Sequence, residues 1–495
     1  MSKLPGSPIP LLRIKVEEKG RIKDIKEIVA RIDGLPTCLN GQLVDLGNDV
    51  KGIVMGFDQN DVLVLVLGDA GRLRLGREVS AVSEPFRIPV GDALIGRMVD
   101  ALGTQVDRGP AIVPQDRLPI MMESPPIVAR ATVDRFLPTG TKIVDLVIPL
   151  AQGQRQLILG DRMTGKTTIA LDAIINQKGR DMVCVYCCLG KSLSALEKVV
   201  SVLHEQGALA YTVITVATDS APVGEQYLAP VSTASIAHHF ASRGRNVLVV
   251  FDDLTKHAWA YRQLSLLLDR PPGREAYPGD IFYVQTQLME RAGNFNEASG
   301  GGSVTYIGIA ETLQGDLTGY IPSNLASMCD GQICMSGTMF AEGVRPAIDF
   351  TLSLSIIGGR VQPPVLKALS RTLRADYARY TEILRLSKLQ STVSGESERI
   401  LKRGRAILGV LQQGAHHPVG TFEQVLLAYA LDRGWLDGMP TPWVDEFRDS
   451  IAAFAAEAAP DLADRVARAE ALTTEIERML ESVLQAYRAA HEPEA

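Results

Sequence analysis

Residues 160–167 have the types and spacing needed to hold the phosphates of a nucleotide. They read Gly-Asp-Arg-Met-Thr-Gly-Lys-Thr and match the pattern G-x-x-x-x-G-K-[ST] without a gap. Gly160 and Gly165 allow backbone angles that turn successive N–H groups toward an anion. Lys166 would reach the outer phosphates, and the Thr167 hydroxyl would help to hold Mg²⁺. We predict that ATP or ADP binds through Gly160, Asp161, Arg162, Met163, Thr164, Gly165, Lys166, Thr167 and Thr168.

The phosphate loop, as we call residues 160–168, has a strand pattern before it and a helix pattern after it. Residues 156–159 contain the apolar run 157–159 and predict a buried strand. Residues 168–175 predict an amphipathic helix that begins near Lys166. The positive end of this helix would point at the bound phosphates, as the N-termini of helices do at anion sites. This context supports a nucleotide site over a chance glycine turn.

A Mg²⁺ ion at such a site needs a carboxylate from a second strand. Residues 247–251 are apolar and predict that strand, and Asp252 follows directly. We therefore predict that Thr167 and Asp252 hold the metal, and that Asp253 caps the next helix.

The pattern of the chain changes along its length. Up to about residue 89, short alternating runs are separated by turn residues and predict a small β-barrel. Strand and helix patterns then alternate, which is typical of a mainly parallel α/β sheet. After Pro363 the chain is helical, with apolar residues three and four apart in residues 366–389 and 462–490. We predict an α/β P-loop NTPase core with an N-terminal β-barrel domain and a C-terminal helical domain. The boundaries are extension 1–19, barrel 20–90, nucleotide-binding domain 91–364 and helical domain 365–495.

The composition excludes several classes of protein. The chain has 495 residues, of which 46% are hydrophobic and 22% charged, as expected for a packed protein of several domains. A formal net charge of −6 argues against nucleic acid as a partner, because such proteins present basic surfaces. There is no apolar signal core near the N-terminus and no unbroken run of eighteen apolar residues. We therefore expect a chain that is neither secreted nor membrane-spanning.

The six cysteines are expected to be core residues. Cys184 and Cys187 form a C-x-x-C pair, but they lie in the apolar run 182–189, which predicts a buried strand. No second pair stands at zinc-ligand spacing. Free cysteines of this kind are consistent with a protein kept in the reducing cytoplasm.

Several stretches together resemble the α subunit of F-type ATP synthases. The phosphate loop and its helix read GDRMTGKTTIALDAIINQK, and residues 252–280 read DDLTKHAWAYRQLSLLLDRPPGREAYPGD. The likeness extends from about residue 20 to the C-terminus, and RPPGREAYPGD is very specific. Shorter matching stretches are residues 96–103, 300–303, 320–322, 330–332 and 343–348.

The resemblance implies a non-catalytic, regulatory nucleotide-binding subunit. It would alternate with a catalytic β subunit in a three-plus-three hexamer around a central γ shaft, with a peripheral stator. The complex would couple ATP synthesis or hydrolysis to H⁺ or Na⁺ transport on the cytoplasmic face of a bacterial plasma membrane, and this chain would reach the membrane only through the complex. The resemblance also places Arg345, Pro346 and Gln413 around the adenine, with Ala415 where the family usually has a second glutamine.

Hydrolysis requires a carboxylate that orients the attacking water. In the family's catalytic sister subunit, this glutamate follows a glycine at the end of the next strand, and Lys191 after Gly190 stands at the matching place here. A protonated ammonium is no base, although it could contact a phosphate or a neighbouring acid. Glu197 is expected to be a solvated helix residue. We therefore predict that the phosphate loop holds nucleotide without hydrolysing it.

The family's α subunits lend an arginine to the neighbouring catalytic site from a Ser-Val-Ser-Arg-Val-Gly-Gly pattern. Here residues 353–360 read Ser-Leu-Ser-Ile-Ile-Gly-Gly-Arg, so Ile356 stands in the place of that arginine. Loss of such an arginine typically costs about 10³ to 10⁵ in rate. Three interpretations stay open: Arg360 substitutes, the assembly is slow, or the assembly has a partly different role.

The N-terminus also departs from the family. Pro5, Pro8 and Pro10 would break the helix that usually docks the stator cap. Together the departures suggest an alternate, duplicated lineage of the enzyme.

Three alternatives compete with this interpretation. An RNA translocase would need a basic face, and a catalytic β subunit or export ATPase would need a glutamate at Lys191. The third alternative is a scaffold that holds nucleotide without coupling to transport, and the isoleucine at position 356 is consistent with it.

Overall fold

The computed structural model describes residues 18–58, 60–387 and 395–491. The chain forms two compact units. Among the described residues, one unit consists of those up to Arg87 with Pro222–Gly224 and Gln263–Pro271, and the other consists of the remainder. The three N-terminal prolines named above lie outside the described residues.

A closed six-stranded barrel forms the first unit. Each strand is antiparallel to its neighbours in the order β1-β2-β5-β4-β3-β6. Ile22, Ile32, Val44 and Val64 are buried in its core, because alternate residues of a strand point to the same face. The strands are β1 (Lys19–Lys26), β2 (Val29–Asp33), β3 (Gln42–Gly47), β4 (Val50–Phe57), β5 (Asp61–Leu67) and β6 (Glu78–Pro85). The barrel is the one that the sequence predicts.

A nine-stranded sheet forms the centre of the second unit. The strand order is β19-β18-β12-β17-β15-β13-β14-β8, with β16 paired to β17, and only β16 and β19 run antiparallel to their neighbours. The sheet strands are β8 (Met98–Asp100), β12 (Arg155–Gly160), β13 (Met182–Leu189), β14 (Thr212–Ala217), β15 (Asn246–Asp252), β16 (Gly293–Asn294), β17 (Ser303–Glu311), β18 (Gly331–Met335) and β19 (Ile348–Ser355). Short strands outside this sheet are β7 (Arg87–Val90), β9 (Asp116–Pro119), β10 (Phe136–Leu137) and β11 (Leu150–Ala151).

The apolar runs of the central strands follow from burial on both faces. Every residue of β13 is buried, as is typical of a parallel strand covered by helices on both sides. The helices that alternate with the strands are α1 (Lys142–Val147), α2 (Lys166–Ile175), α3 (Leu193–Glu205), α4 (Val223–Ala241), α5 (Leu254–Leu267), α6 (Ile281–Met289), α7 (Tyr320–Met328), α8 (Gly337–Ala341) and α9 (Gly358–Val361).

Seven helices follow the sheet in sequence. They are α10 (Pro364–Ser370), α11 (Leu373–Ser387), α12 (Gly395–Leu411), α13 (Thr421–Asp432), α14 (Thr441–Ala458), α15 (Leu462–Arg468) and α16 (Thr474–Ala490). Trp443 and Phe447 stack at 5.6 Å between ring centroids, and the Tyr487 ring packs edge-on against Phe447 at 5.1 Å. These aromatic contacts join α14 to α16, and the three rings belong to a hydrophobic core that is continuous with that of the sheet.

Both helical stretches expected near the C-terminus are interrupted. Residues 366–387 divide between α10 and α11, and residues 388–389 lie outside the described residues. The second stretch divides between α15 and α16 because the Thr473 hydroxyl accepts the Ile476 N–H at 3.3 Å and starts a new helix.

No helix in the described part of the chain is long and apolar enough to cross a membrane. The bounds of the four segments expected above stay predictions.

Candidate nucleotide-binding site

The phosphate loop connects β12 to α2, as the sequence predicts. Gly165 has φ +97° immediately before α2, a conformation that residues with a Cβ rarely adopt. At Gly160, a Cβ would lie 2.6 Å from Cβ of Met335, so only glycine fits beside β18. The Met163 side chain is 88% exposed at the outside of the loop. The loop therefore has the tight backbone that an anion site needs.

Lys166 lies inside the loop. Its Nζ donates to the backbone oxygens of Gly160 at 2.8 Å and Asp161 at 2.6 Å. Burial lowers the pKa of this lysine. Thr164 closes the same turn by donating to the Asp161 carbonyl at 2.8 Å. A positive charge is thus held at the centre of the loop, where phosphate oxygens would replace the carbonyl contacts.

Two side chains of the loop bind to the end of β17 and to the segment that follows it. The Asp161 carboxylate accepts from the Thr312 hydroxyl at 2.6 Å and from the Gly315 N–H at 2.9 Å. Arg162 donates to the Glu311 carboxylate at 3.0 Å from an exposed position. These contacts fix the outer rim of the loop.

A cluster of four side chains lies where β13 and β15 end. The Thr167 hydroxyl donates to Oδ2 of Asp252 at 2.7 Å. The Lys191 ammonium lies 2.8 Å from Oγ1 of Thr167 and 2.6 Å from the same Asp252 oxygen. Tyr186 donates its hydroxyl proton to that oxygen as well, at 2.8 Å. Because β13 and β15 are parallel and pair Cys188 with Asp252, their carboxyl ends meet at one edge of the sheet.

Asp253 has a different role from Asp252. Its carboxylate accepts the backbone N–H of Lys256 at 2.8 Å, which caps α5 as expected from the sequence. Burial and the neighbouring Asp252 charge raise the pKa of Asp253 to about 7.

A cavity of about 360 Å³ opens beside the phosphate loop. It brings together Arg345, Pro346 and Gln413, which the resemblance places around an adenine, with Ala415. The loop and its helix contribute Thr164, Gly165, Thr168, Ile169 and Asp172, and the other lining residues are Thr141, Met335, Phe340, Ala347 and Gly414. The phosphate loop and the expected base pocket therefore share one site.

Comparisons with known proteins agree with this arrangement. The β-barrel domain of the ATP synthase alpha/beta family matches residues 15–82, its nucleotide-binding domain matches residues 140–355, and its C-terminal domain matches residues 362–487. The ATP synthase subunit alpha of Clostridium botulinum (strain Alaska E43 / Type E3) is 39% identical over 472 residues, which cover 95% of this chain and 93% of the relative. The chain belongs to the α subunits of the ATP synthase alpha/beta family.

In this α subunit, the polar side-chain atoms of Gln413 and Arg345 in the expected adenine pocket are bound to the protein itself. The Gln413 amide accepts from the backbone N–H of Lys142 at 2.9 Å and donates to the carbonyls of Gly140 and His417. The Arg345 guanidinium lies 3.5 Å from the centroid of the Phe340 ring. Arg345 also donates to the carbonyls of Phe340 and Val344, so Gln413 and Arg345 offer a base mainly shape and apolar contact.

Ile356 and Arg360 lie outside that pocket. Ile356 directly follows β19 and is 66% exposed. Arg360 is exposed in α9, and within the described residues its guanidinium makes no hydrogen bond or ion pair. This α subunit therefore presents an isoleucine to solvent where the family lends an arginine, with a free guanidinium four residues later.

Tyr186 is the site residue that sequence reasoning missed. It lies in the buried run of β13, where its hydroxyl requires a partner. The need of this hydroxyl for a partner was the signal in the sequence. It did not identify the partner, because Asp252 is on a different strand.

Five of the six cysteines of this α subunit are buried core residues, and Cys329 is half-buried. Cys184, Cys187 and Cys188 are buried in β13, and burial raises the pKa of Cys187 to about 11, which keeps the thiol protonated. No group of three or more metal-binding His, Cys, Asp or Glu side chains occurs within residues 18–58, 60–387 and 395–491.

Proposed function

We propose that this α subunit binds ATP or ADP at the phosphate loop and holds it without hydrolysis. The observation that carries the proposal is the position of Lys191. A carboxylate there would orient water, but the ammonium is bound to Asp252 and carries no lone pair for a proton. We assign the nucleotide to this site because the loop, Lys166 and the adjoining cavity lie together.

Each part of the site has a separate task in binding. The backbone N–H groups around Gly165 and the N-terminus of α2 would receive the phosphates. Lys166 would exchange its carbonyl partners for the outer phosphate oxygens. The cavity beside Arg345 and Gln413 would take the base and exclude water from its face.

Thr167 and Asp252 would suit a Mg²⁺ ion by the kind of atom they offer, although the Lys191 ammonium lies on both oxygens. They present a hydroxyl and a carboxylate oxygen 2.7 Å apart, and Mg²⁺ prefers oxygen ligands. When bound, Mg²⁺ would neutralise charge on the outer phosphates.

We further propose a place for the chain in a rotary complex. Three copies would alternate with three catalytic β subunits around a central γ shaft, held by a peripheral stator. The complex would couple ATP synthesis or hydrolysis to H⁺ or Na⁺ transport from the cytoplasmic face of a bacterial plasma membrane. The relative named above, an ATP synthase subunit alpha, supports this proposal.

The proposal is tested with the purified full-length chain. Labelled ATP is equilibrated with the protein, and bound ATP and ADP are separated after incubation. The bound nucleotide should remain ATP, and Lys166→Ala should weaken binding by about tenfold or more. Lys178→Ala is the matched control, because Lys178 is exposed beyond the end of α2. Conversion of ATP to ADP that depends on Lys166 would contradict the holding role.

The exposed Ile356 favours a second candidate function. A scaffold subunit would hold nucleotide but would not support fast turnover at the neighbouring catalytic site, which normally receives an arginine. Reconstitution with the catalytic β subunit distinguishes the two. Background ATP turnover in the wild-type ring would favour the scaffold. The alternate lineage stays a prediction under either outcome.

A further inference from the structure

The Lys191 ammonium lies on the two oxygens that the sequence assigns to Mg²⁺. It contacts Oγ1 of Thr167 at 2.8 Å and Oδ2 of Asp252 at 2.6 Å. These oxygens are themselves 2.7 Å apart. A single cationic atom of the protein therefore bridges the pair.

The hydrogen bonds of the cluster leave little free for a metal ion. Oδ2 of Asp252 accepts protons from Thr167, Tyr186 and Lys191, and the Asp252 side chain is 2% exposed. The Thr167 oxygen donates its own proton and accepts one from the ammonium. Mg²⁺ requires oxygen lone pairs at about 2.0–2.1 Å, so an ion held by Oγ1 of Thr167 and Oδ2 of Asp252 together would have to displace the ammonium from both.

Lys191 has a free donor for a ligand. An ammonium has three N–H groups, and within the described residues two of them are used, by Thr167 and Asp252. The side chain is 20% exposed at a cluster that is otherwise nearly closed. The third N–H is therefore available to an oxygen of a phosphate seated on the adjoining loop.

The charges at the loop also favour a metal-free nucleotide. Lys166 and Lys191 carry two positive charges beside the negative Asp252, and Glu311 is paired with Arg162. With a neutral residue at position 191, the charges of Lys166 and Asp252 would cancel. An anionic phosphate would then need a metal ion to balance its charge.

We propose that Lys191 is a built-in cation of the phosphate site, which allows this chain to bind nucleoside di- and triphosphates without Mg²⁺. The inference rests on the proposed function, since it concerns the same phosphate loop. It assigns Lys191 the role of making nucleotide affinity independent of a metal ion. The ammonium donates to a phosphate oxygen while it keeps Asp252 neutralised.

The test is nucleotide affinity of the full-length chain in excess Mg²⁺ and in excess EDTA, measured by calorimetry with ATP and with ADP. The wild-type affinity should change by less than about threefold between the two conditions. A loss of about tenfold or more in EDTA would overturn the inference while leaving the proposed function intact. Failure to bind in both conditions would instead overturn the proposed function.

Variants then assign the effect to one side chain. Lys191→Gln should weaken binding in EDTA by about tenfold or more and leave binding in Mg²⁺ unchanged or tighter. Lys191→Arg should retain metal-free binding, because it keeps a cation in place. Lys198→Gln is the control, since Lys198 is exposed in α3. An equal loss in both conditions for Lys191→Gln, with a lower melting temperature, would show that Lys191 only neutralises Asp252. The wild-type comparison needs no variant and stays decisive if Lys191→Gln fails to fold.

Discussion

The side-chain oxygen of Gln413 accepts the backbone N–H of Lys142 at 2.9 Å. The same amide donates to the carbonyls of Gly140 at 2.7 Å and His417 at 2.9 Å. One side chain therefore ties the start of α1 to the loop after α12. Because Gln413 also lines the expected base pocket, the shape of that pocket depends on these three bonds.

Truncation of Gln413 should weaken both the fold and nucleotide binding. Gln413→Ala leaves a buried backbone donor without its acceptor, and such a loss costs about 1–3 kcal/mol. We expect a lower melting temperature and a nucleotide affinity reduced by about tenfold, measured by thermal denaturation and calorimetry. Gln412→Ala is the control, because Gln412 is the preceding residue and is exposed. Equal effects of the two variants would contradict this account.

The local parts of the site were predictable from sequence because each depends on near neighbours. The strand, loop and helix around Lys166 follow from apolar runs and glycine spacing. Asp252 follows from its place at the end of a buried strand, because the carboxyl ends of parallel strands share one edge. The fold class follows from the same alternation of strands and helices.

The parts that escaped prediction depend on contacts between distant segments. Tyr186 and Asp252 are on separate strands, so no spacing along the chain relates them. The three hydrogen bonds of Gln413 come from segments that only the fold brings together. For Lys191 the sequence left open a phosphate or an acid as partner, and only the strand pairing selects Asp252.

His257 should make the second unit sensitive to mild acid. Its ring is buried against Tyr227, with 5.6 Å between ring centroids, and burial lowers the pKa of His257 to about 4. Between an ordinary pKa near 6.5 and about 4, the unfolded chain binds a proton that the folded chain does not. The free energy of unfolding therefore falls as the pH falls through this window, by up to about 3 kcal/mol.

The measurement is the melting temperature of the wild type and His257→Phe from about pH 7 to about pH 5. The variant loses the hydrogen bond to the Tyr227 carbonyl and should be less stable at neutral pH. Its melting temperature should then decline less steeply with acid than that of the wild type. His204→Phe, at an exposed position in α3, should decline in parallel with the wild type. Parallel curves for all three proteins would exclude His257 as the cause.

Gly165 should tolerate no side chain. Its φ of +97° is unfavourable for alanine even though the nearest atom to a Cβ would be 3.7 Å away, so the cost is conformational rather than steric. We expect Gly165→Ala to lower nucleotide affinity by about tenfold and stability by about 1–2 kcal/mol. Gly359→Ala, where φ is not positive and no atom lies within 4 Å of a Cβ, should leave both unchanged. Calorimetry and thermal denaturation check the pair.

Ile356→Arg should raise ATP turnover in a ring reconstituted with the catalytic β subunit. Ile356 is 66% exposed, so an arginine there needs no cavity and should not reduce stability. If the position faces the neighbouring catalytic site, as the resemblance implies, the new guanidinium would stabilise charge on the transferred phosphate. A gain of about tenfold or more is expected, since such an arginine contributes about 10³ to 10⁵ in rate where it is native.

Two further variants decide which residue serves that neighbouring site. Leu352→Arg adds the same charge at an exposed position within β19 and should leave turnover unchanged. Arg360→Ala removes the exposed guanidinium of α9. If Arg360 substitutes for the missing arginine, this variant should lower wild-type turnover by about tenfold or more, while Ile356→Arg should restore it in the double variant. Fast wild-type turnover that is unaffected by Arg360→Ala would exclude Arg360, because the reaction would then proceed without the only cation that this segment offers between residues 353 and 360.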